Sequence, residues 1–148
     1  MCSSDLSAVI SQLEHQSQTK SQTITTDIPQ DTPQIYGDED KLRQVVGNLL
    51  DNAIKYTPVG GAIHISALHR TAQTIQVSIA DTGLGIPLDS QKHIFQDKYR
   101  LDRDTLQSGY GIGLSVCQQI VRAHYGQIWA ESVPGKGSVF NFTVLVHQ

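Results

Sequence analysis

Between positions 48 and 57 the chain reads Asn-Leu-Leu-Asp-Asn-Ala-Ile-Lys-Tyr-Thr. At about 100° per residue on a helix, Asn48, Asn52, Lys55 and Tyr56 fall within an arc of roughly 100°. Leu42, Val46, Leu49, Leu50 and Ala53 fall on a separate arc. One helix thus has a core face and, beside it, a face with two amides, an ammonium and a phenol. Amide oxygens can hold a hydrated Mg²⁺, an ammonium can pair with phosphate, and a ring can stack on a base. Amides cost more to bury than apolar groups, so this face is expected to border a cleft.

Two glycine clusters can complete such a cleft. Asp81-Thr-Gly83-Leu-Gly85-Ile-Pro87 follows an apolar run, and Gly109-Tyr-Gly111-Ile-Gly113-Leu-Ser115 opens a second helical pattern. Glycine lets backbone approach a ligand, and a glycine-rich turn at a helix start offers free N–H groups to an anion. Asp81 can accept from an exocyclic amine such as adenine N6, although a turn carboxylate is the plainer role. Each cluster alone is as readily a tight turn. The second is neither a dinucleotide fingerprint, since its glycines run G-x-G-x-G, nor a Walker A loop, since no Gly-Lys-Ser/Thr follows. Together the three features suggest one nucleotide site, with Asp81 on the base, the helix face on Mg²⁺ and the second cluster on phosphates.

The elements that must position these groups follow from periodicity and punctuation. Leu6, Val9, Ile10 and Leu13 have helical spacing and run into polar residues, which reads as the end of a helix begun upstream in a longer protein, then a linker. Thr23–Ile28 reads as a strand. Asp38 is an N-cap candidate for a helix that reaches Tyr56, where Pro58 and Gly60-Gly61 stop it. Residues 62–69 and 74–80 alternate as two strands. Residues 81–110 show little periodicity, and so long a stretch inside a compact domain is usually functional or mobile. A helix is expected over 111–124, then strands over 127–132 and 138–146 around Pro134-Gly-Lys-Gly137. This order predicts an α/β (α+β) two-layer sandwich: a mixed, mostly antiparallel sheet of about five strands against about three helices.

Composition narrows the function classes. At 148 residues the chain suits one domain, and a formal net charge of −3 argues against a nucleic-acid binder. No apolar run approaches the roughly 18 residues needed to span a bilayer, and no signal peptide is visible. Cys2 and Cys117 form neither a metal-ligand spacing nor a disulfide framework, which fits a cytoplasmic setting, with Cys117 a small core residue.

In order and spacing, these residues resemble the ATP-binding catalytic domain of sensor histidine kinases, in the superfamily that also holds gyrase, heat-shock chaperone 90 and the mismatch-repair ATPases. The resemblance spans about residues 22–146. It rests on Asn48–Thr57 (N box), Asp81–Ile86 (G1), Ile94-Phe95 with Tyr99-Arg100 (F box), Gly109–Leu114 (G2) and the turn Gly135–Phe140. It implies a Bergerat-type fold, with 1–21 the end of a dimerisation helix and its linker, 22–148 the catalytic domain, and a lid over about 86–110.

The resemblance also implies roles. Asn52 is the Mg²⁺ ligand with Asn48 in support, Lys55 a phosphate contact and Tyr56 a wall of the adenine pocket. Asp81 selects adenine, and Gly83, Gly85 and Ile86 shape the pocket floor. Tyr99, Gly109, Tyr110, Gly111, Ile112, Gly113 and Leu114 belong to the nucleotide-binding lid and its hinge. Arg100 reaches the γ-phosphate, which with Lys55 makes the catalytic pair, and Phe95 packs the lid down. Hydrolytic members of the superfamily carry a glutamate base where this chain has Asn48, which cannot take a proton at neutral pH. Asp51 is the nearby acid, expected to be solvated or lid-facing. None of the histidines at 15, 64, 69, 93, 124 and 147 has the phosphoacceptor motif, and His124 suits a helix C-cap.

The implied activity is protein-histidine kinase catalysis with ATP and Mg²⁺. The γ-phosphate would pass to a histidine on the protein's own dimerisation domain and then to a response regulator, in a full-length homodimer. A hydrolytic ATPase, or a regulatory nucleotide-binding module without transfer, stays open beside it. The F box departs from the family pattern: Asp97-Lys98-Tyr99-Arg100 has lysine where an aromatic is usual. With Ala123–Trp129 it is most similar to the clock-associated sensor kinases of cyanobacteria, which implies a circadian-clock protein as a further partner through the sensor domain.

Overall fold

The computed structural model describes residues 3–29, 37–86, 88–91, 94–95 and 113–146. Its elements are α1 (Ser3–Thr19), β1 (Thr23–Asp27), α2 (Glu39–Tyr56), β2 (Ala62–His69), β3 (Thr74–Asp81), α3 (Leu88–Gln91), α4 (Leu114–Ala123), β4 (Ile128–Val133) and β5 (Gly137–Leu145). The strands form one sheet in the order β1-β2-β3-β5-β4. β1 is parallel to β2, and every other pair is antiparallel. The expected mixed, mostly antiparallel two-layer architecture is the one observed.

Alternation along the strands sets the layers. Ile63, Ile65 and Ala67 on β2 and Ile75, Val77 and Ile79 on β3 are buried, one residue in two; on β5 Phe140, Phe142 and Val144 are buried, and so are the intervening Asn141 and Thr143. Register aligns them: Ile65 faces Ile79, and Phe142 lies between Val77 and Ile128. Against them α2 sets Leu42, Val45, Val46, Leu49, Leu50, Ala53 and Ile54, each at most 4% exposed. Burying a leucine-sized side chain is worth about 1.5–3 kcal/mol, so this face anchors the helix in the core. Asp38 caps α2 as expected, its Oδ1 accepting from the Lys41 amide at 3.1 Å.

Three expectations need correction. The polar residues after Leu13, expected as linker, are helical to Thr19. Val9, Ile10, Leu13 and Ser17 lie on one stripe, are buried, and hold α1 against α2, so packing extends the helix past its apolar pattern. The aperiodic stretch after β3 contains the one-turn helix α3. The helix expected over 111–124 begins only at Leu114, because Gly113 at its N-cap has φ 81° and is not helical. His124 is the C-cap, as expected, and does more: its Nε2 accepts from the Asp38 amide at 2.9 Å while Nδ1 lies 2.8 Å from the Ile120 carbonyl. A ring donating through Nδ1 and accepting through Nε2 satisfies both, tying the end of α4 to the start of α2.

Candidate nucleotide site

α2, the β3–α3 loop and the start of α4 bring the described candidate residues together. Asn48 lies on the inner side of the α2 face, 2% exposed. Its Nδ2 donates to the Gly113 carbonyl at 2.9 Å and to Cys117 Sγ at 3.0 Å. The first asparagine thus ties the N-box helix to the end of the second glycine cluster. Burial pushes the Cys117 thiol up to about 11, while the Asn48 hydrogen bond acts in the opposite direction. Asn52, Lys55 and Tyr56 on the same helix are half-buried.

Asp51 differs most from expectation. It is neither solvated nor at the surface: it is 1% exposed, and no donor among the described residues hydrogen-bonds either carboxylate oxygen. Its partner is Lys55, whose Nζ stands 3.2 Å from Oδ2, at ion-pair distance without hydrogen-bond alignment. The spacing i, i+4 brings the pair together on one helix face, and the fold removes it from water.

The G1 turn is built onto the end of α2. Asp81 is the last residue of β3, opposite Ile63 on one side and Ser138 on the other. Its Oδ1 accepts from the Gly83 amide at 2.8 Å, which is the turn role, realised in a half-buried carboxylate. Gly83 passes so close to α2 that a Cβ there would lie 2.5 Å from the Tyr56 carbonyl oxygen and 2.7 Å from Asp81 Oδ1. The Leu84 amide donates to that same Tyr56 carbonyl at 3.4 Å.

The β4–β5 turn backs the loop from the other side. Gly135 donates to the Leu84 carbonyl at 2.7 Å, and the buried Ile86 donates to Ser132 Oγ at 2.8 Å. Gln91 of α3 reaches back to the Ile86 carbonyl at 2.8 Å. Phe95 packs edge-on against Phe140, with ring centroids 6.5 Å apart. Gly85 is buried in this loop and Leu114 is half-buried at the start of α4.

Tyr99, Arg100, Gly109, Tyr110, Gly111 and Ile112, with most of the expected lid, lie outside the described residues. Sequence reasoning missed Lys20 and Gln22, whose side chains reach the carbonyls at the end of α2. Nothing in the local pattern of a polar Gln/Ser/Thr/Lys run marks them. Among the described residues no group of three or more His, Cys, Asp or Glu side chains is placed to hold a metal. A Mg²⁺ here would rely on an amide oxygen and on ligand phosphates, a donor set that suits this ion because it keeps most of its water.

Comparison with known proteins places this geometry among relatives. The family described as histidine kinase-, DNA gyrase B-, and HSP90-like ATPase matches residues 37–148. The adaptive-response sensory kinase SasA of Thermosynechococcus vestitus is 60% identical over 129 residues, which is 87% of this chain and 34% of that protein. SasA of Synechococcus elongatus is 57% identical over 143 residues, 97% of this chain and 37% of that protein. The chain therefore spans about a third of the length of the curated relatives it matches.

Among solved structures, the catalytic domain of histidine kinase ThkA superposes with a TM-score of 0.84 at 26% identity, covering 97% of this chain and 91% of that one. Full-length ShkA in complex with AMPPNP gives 0.84 at 26% identity, over 98% and 30%. ThkA in complex with the response regulator protein TrrA gives 0.81 at 24% identity, over 99% and 41%, a likeness of fold. No helix among the described residues is long and apolar enough to cross a membrane.

Proposed function

The chain belongs to the histidine kinase-, DNA gyrase B-, and HSP90-like ATPase family, and on that footing we propose that it is the ATP-binding catalytic part of a two-component sensor histidine kinase. It holds Mg·ATP and presents the γ-phosphate to a histidine on a dimerisation domain that precedes residue 22 in the whole protein. The phosphoryl group then passes to a response-regulator aspartate. ThkA has also been solved in complex with the response regulator protein TrrA. Homodimerisation belongs to the dimerisation domain, and identities of 57–60% to SasA support a clock-associated partner.

The observation that carries the kinase reading over the hydrolase reading is the state of Asn48 and Asp51. A water-activating base must be a carboxylate that faces the cleft. Asn48 stands at that position and donates its amide to Gly113, and Asp51 is buried in an ion pair with Lys55. Neither is set to take a proton from water. Transfer to an imidazole supplied by another domain needs no such base. Catalysis then rests on positioning and charge neutralisation.

In this reading Asp81 receives the adenine amine and Tyr56 walls the base. Gly83 and Gly85 keep the floor flat. Lys55 bridges Asp51 and a phosphate oxygen through its three ammonium donors, and Arg100 comes over the γ-phosphate with the lid. Asn52 would hold Mg²⁺, which when bound neutralises phosphate charge, and Asn48 fixes the helix face behind it.

Calorimetry of the isolated chain tests the assignment. Mg·ATP binding is expected, with Asn52→Asp weakening the Mg-dependent part and Asp81→Asn eroding the preference for adenine over other bases. Unchanged affinity in both variants removes the site. Incubation with radiolabelled ATP is expected to leave this chain unlabelled and to label an added dimerisation domain. Prompt acid-labile labelling of the chain itself contradicts the reading. Steady multiple-turnover phosphate release would favour the hydrolase.

A further inference from the structure

An α-helix ends with backbone carbonyls that have no partner inside the helix, and something must satisfy them if the end is buried. At the end of α2 the Tyr56 carbonyl is met by the Leu84 amide, and the Ile54 and Lys55 carbonyls by two side chains from far away in sequence. Lys20 Nζ donates to the Ile54 carbonyl at 2.8 Å and to the Lys55 carbonyl at 3.2 Å. Gln22 Nε2 donates to the Ile54 carbonyl at 3.0 Å and to the Thr57 carbonyl at 2.6 Å. Gln22 and Thr57 are buried, at 8% and 0% exposure. An ammonium at a helix C-terminus also meets the negative end of the helix dipole.

Both side chains stand in a joint that is itself tightly bonded. α1 closes with Ser21 N to the Gln18 carbonyl at 2.9 Å and Gln22 N to the Ser17 carbonyl at 3.0 Å. Ser21 has φ 52°, the left-handed conformation of a helix stop. Across the joint, Gly60 donates to the Lys20 carbonyl and Thr23 to the Gly61 carbonyl, each at 3.0 Å. Upstream, Val9, Ile10 and Leu13 lock α1 into the core that α2 shares.

The last turn of α2 carries Lys55 and Tyr56. We propose that Lys20 and Gln22 are positioning residues for the nucleotide site: they clamp the carbonyls of Ile54, Lys55 and Thr57, fix the side chains of Lys55 and Tyr56, and so link nucleotide affinity to the seating of α1. This rests on the nucleotide-site reading above. Neither residue touches the ligand. Both act through the helix end, and a shift of α1 that withdraws Lys20 frees that end.

The test uses Lys20→Met, Lys20→Arg and Gln22→Leu in the whole chain, with ATP titration by calorimetry and amide hydrogen exchange by NMR. Lys20→Met and Gln22→Leu are each expected to lower ATP affinity on the order of tenfold, as expected when two contact side chains must be ordered on binding. Lys20→Arg is expected to restore most of it. The Thr57 amide, bonded to the Ala53 carbonyl, should exchange faster in the first two variants while those of Val77 and Ile79 keep their protection. A general loss of structure would move all of these amides together and would not be rescued by arginine. ATP affinity within twofold of the parent for Lys20→Met combined with Gln22→Leu overturns the clamp. So does uniform loss of protection across the sheet. If the parent chain binds no ATP, the functional reading falls first and the clamp falls with it, which the parent titration alone reveals.

Discussion

Removing Lys55 should cost the fold more than removing its partner. Asp51 is 1% exposed and has no hydrogen-bond donor among the described residues, while the Lys55 side chain is 11% exposed. Lys55→Met strands a buried carboxylate, and breaking a buried pair from one side costs about 3–5 kcal/mol. The Lys55 side chain keeps 11% of its surface exposed, so the lower end, about 3 kcal/mol, is expected. Asp51→Asn instead leaves an ammonium on a long stem that can turn toward solvent, and should cost about 1 kcal/mol.

Replacing both, Asp51→Leu with Lys55→Met, removes both desolvation penalties and should bring stability back to within about 1 kcal/mol of the parent. For a chain of this size, 3 kcal/mol corresponds to a melting shift of about 6–12 °C. Urea unfolding followed by the fluorescence of Trp129, the single tryptophan, reads the difference. Trp129 is half-buried with the Arg70 guanidinium 5.1 Å from its ring centroid, so its emission should change on unfolding. Equal costs for the two single variants, or a cost below about 1 kcal/mol for Lys55→Met, would show that Asp51 is hydrated. Asp51 would then be open to act as a water-facing base.

Gly83→Ala should push the G1 turn off the end of α2, because the new methyl would meet the Tyr56 carbonyl at 2.5 Å. A loss of about 1–3 kcal/mol by denaturant titration, together with weaker ATP binding, is the expected result. Asn48→Ala removes the bonds to Gly113 and Cys117 and should destabilise by about 1–3 kcal/mol, with the first-turn amides of α4 exchanging faster than those of β3. In a Cys2→Ser background, Cys117 should resist alkylation at pH 8 until the chain unfolds, since a thiol pushed up to about 11 is almost wholly protonated there. The same shift has a stability consequence. The folded thiol holds its proton more tightly than the ordinary value of 9.0, so its contribution is complete below pH 9 and is lost as pH rises toward 11. Parent and Cys117→Ala should therefore converge in stability across that window, and parallel curves would contradict the assignment.

Local pattern made most of the architecture legible. The alternation of residues 62–69 matched a strand of those bounds, Asp38 was visible as a cap, and the proline and glycines after Tyr56 marked the end of α2. These features are written in neighbouring residues, with periods of two or 3.6 and side chains that bond their own backbone. The start of α4 was less legible, because Gly111 and Gly113 are equally permissive and only the positive φ at Gly113 sets the boundary. The full length of α1 was illegible for the opposite reason. Its last turns are polar on the surface, and the helix is held by Val9, Ile10 and Leu13 packing on an element thirty residues away.

By itself, the sequence determined which chemical groups lie on one face of α2 and which glycine turns accompany them, because helical geometry fixes the relation between spacing and direction. Only the tertiary structure decided what state those groups are in. It joined Asn48 to Gly113 across 65 residues of chain and Lys20 to the end of α2 across 34. It buried Asp51 where helical spacing alone allowed exposure. Solvation and long-range partners depend on what packs against a face, and that is set by the whole core rather than by any local run of residues.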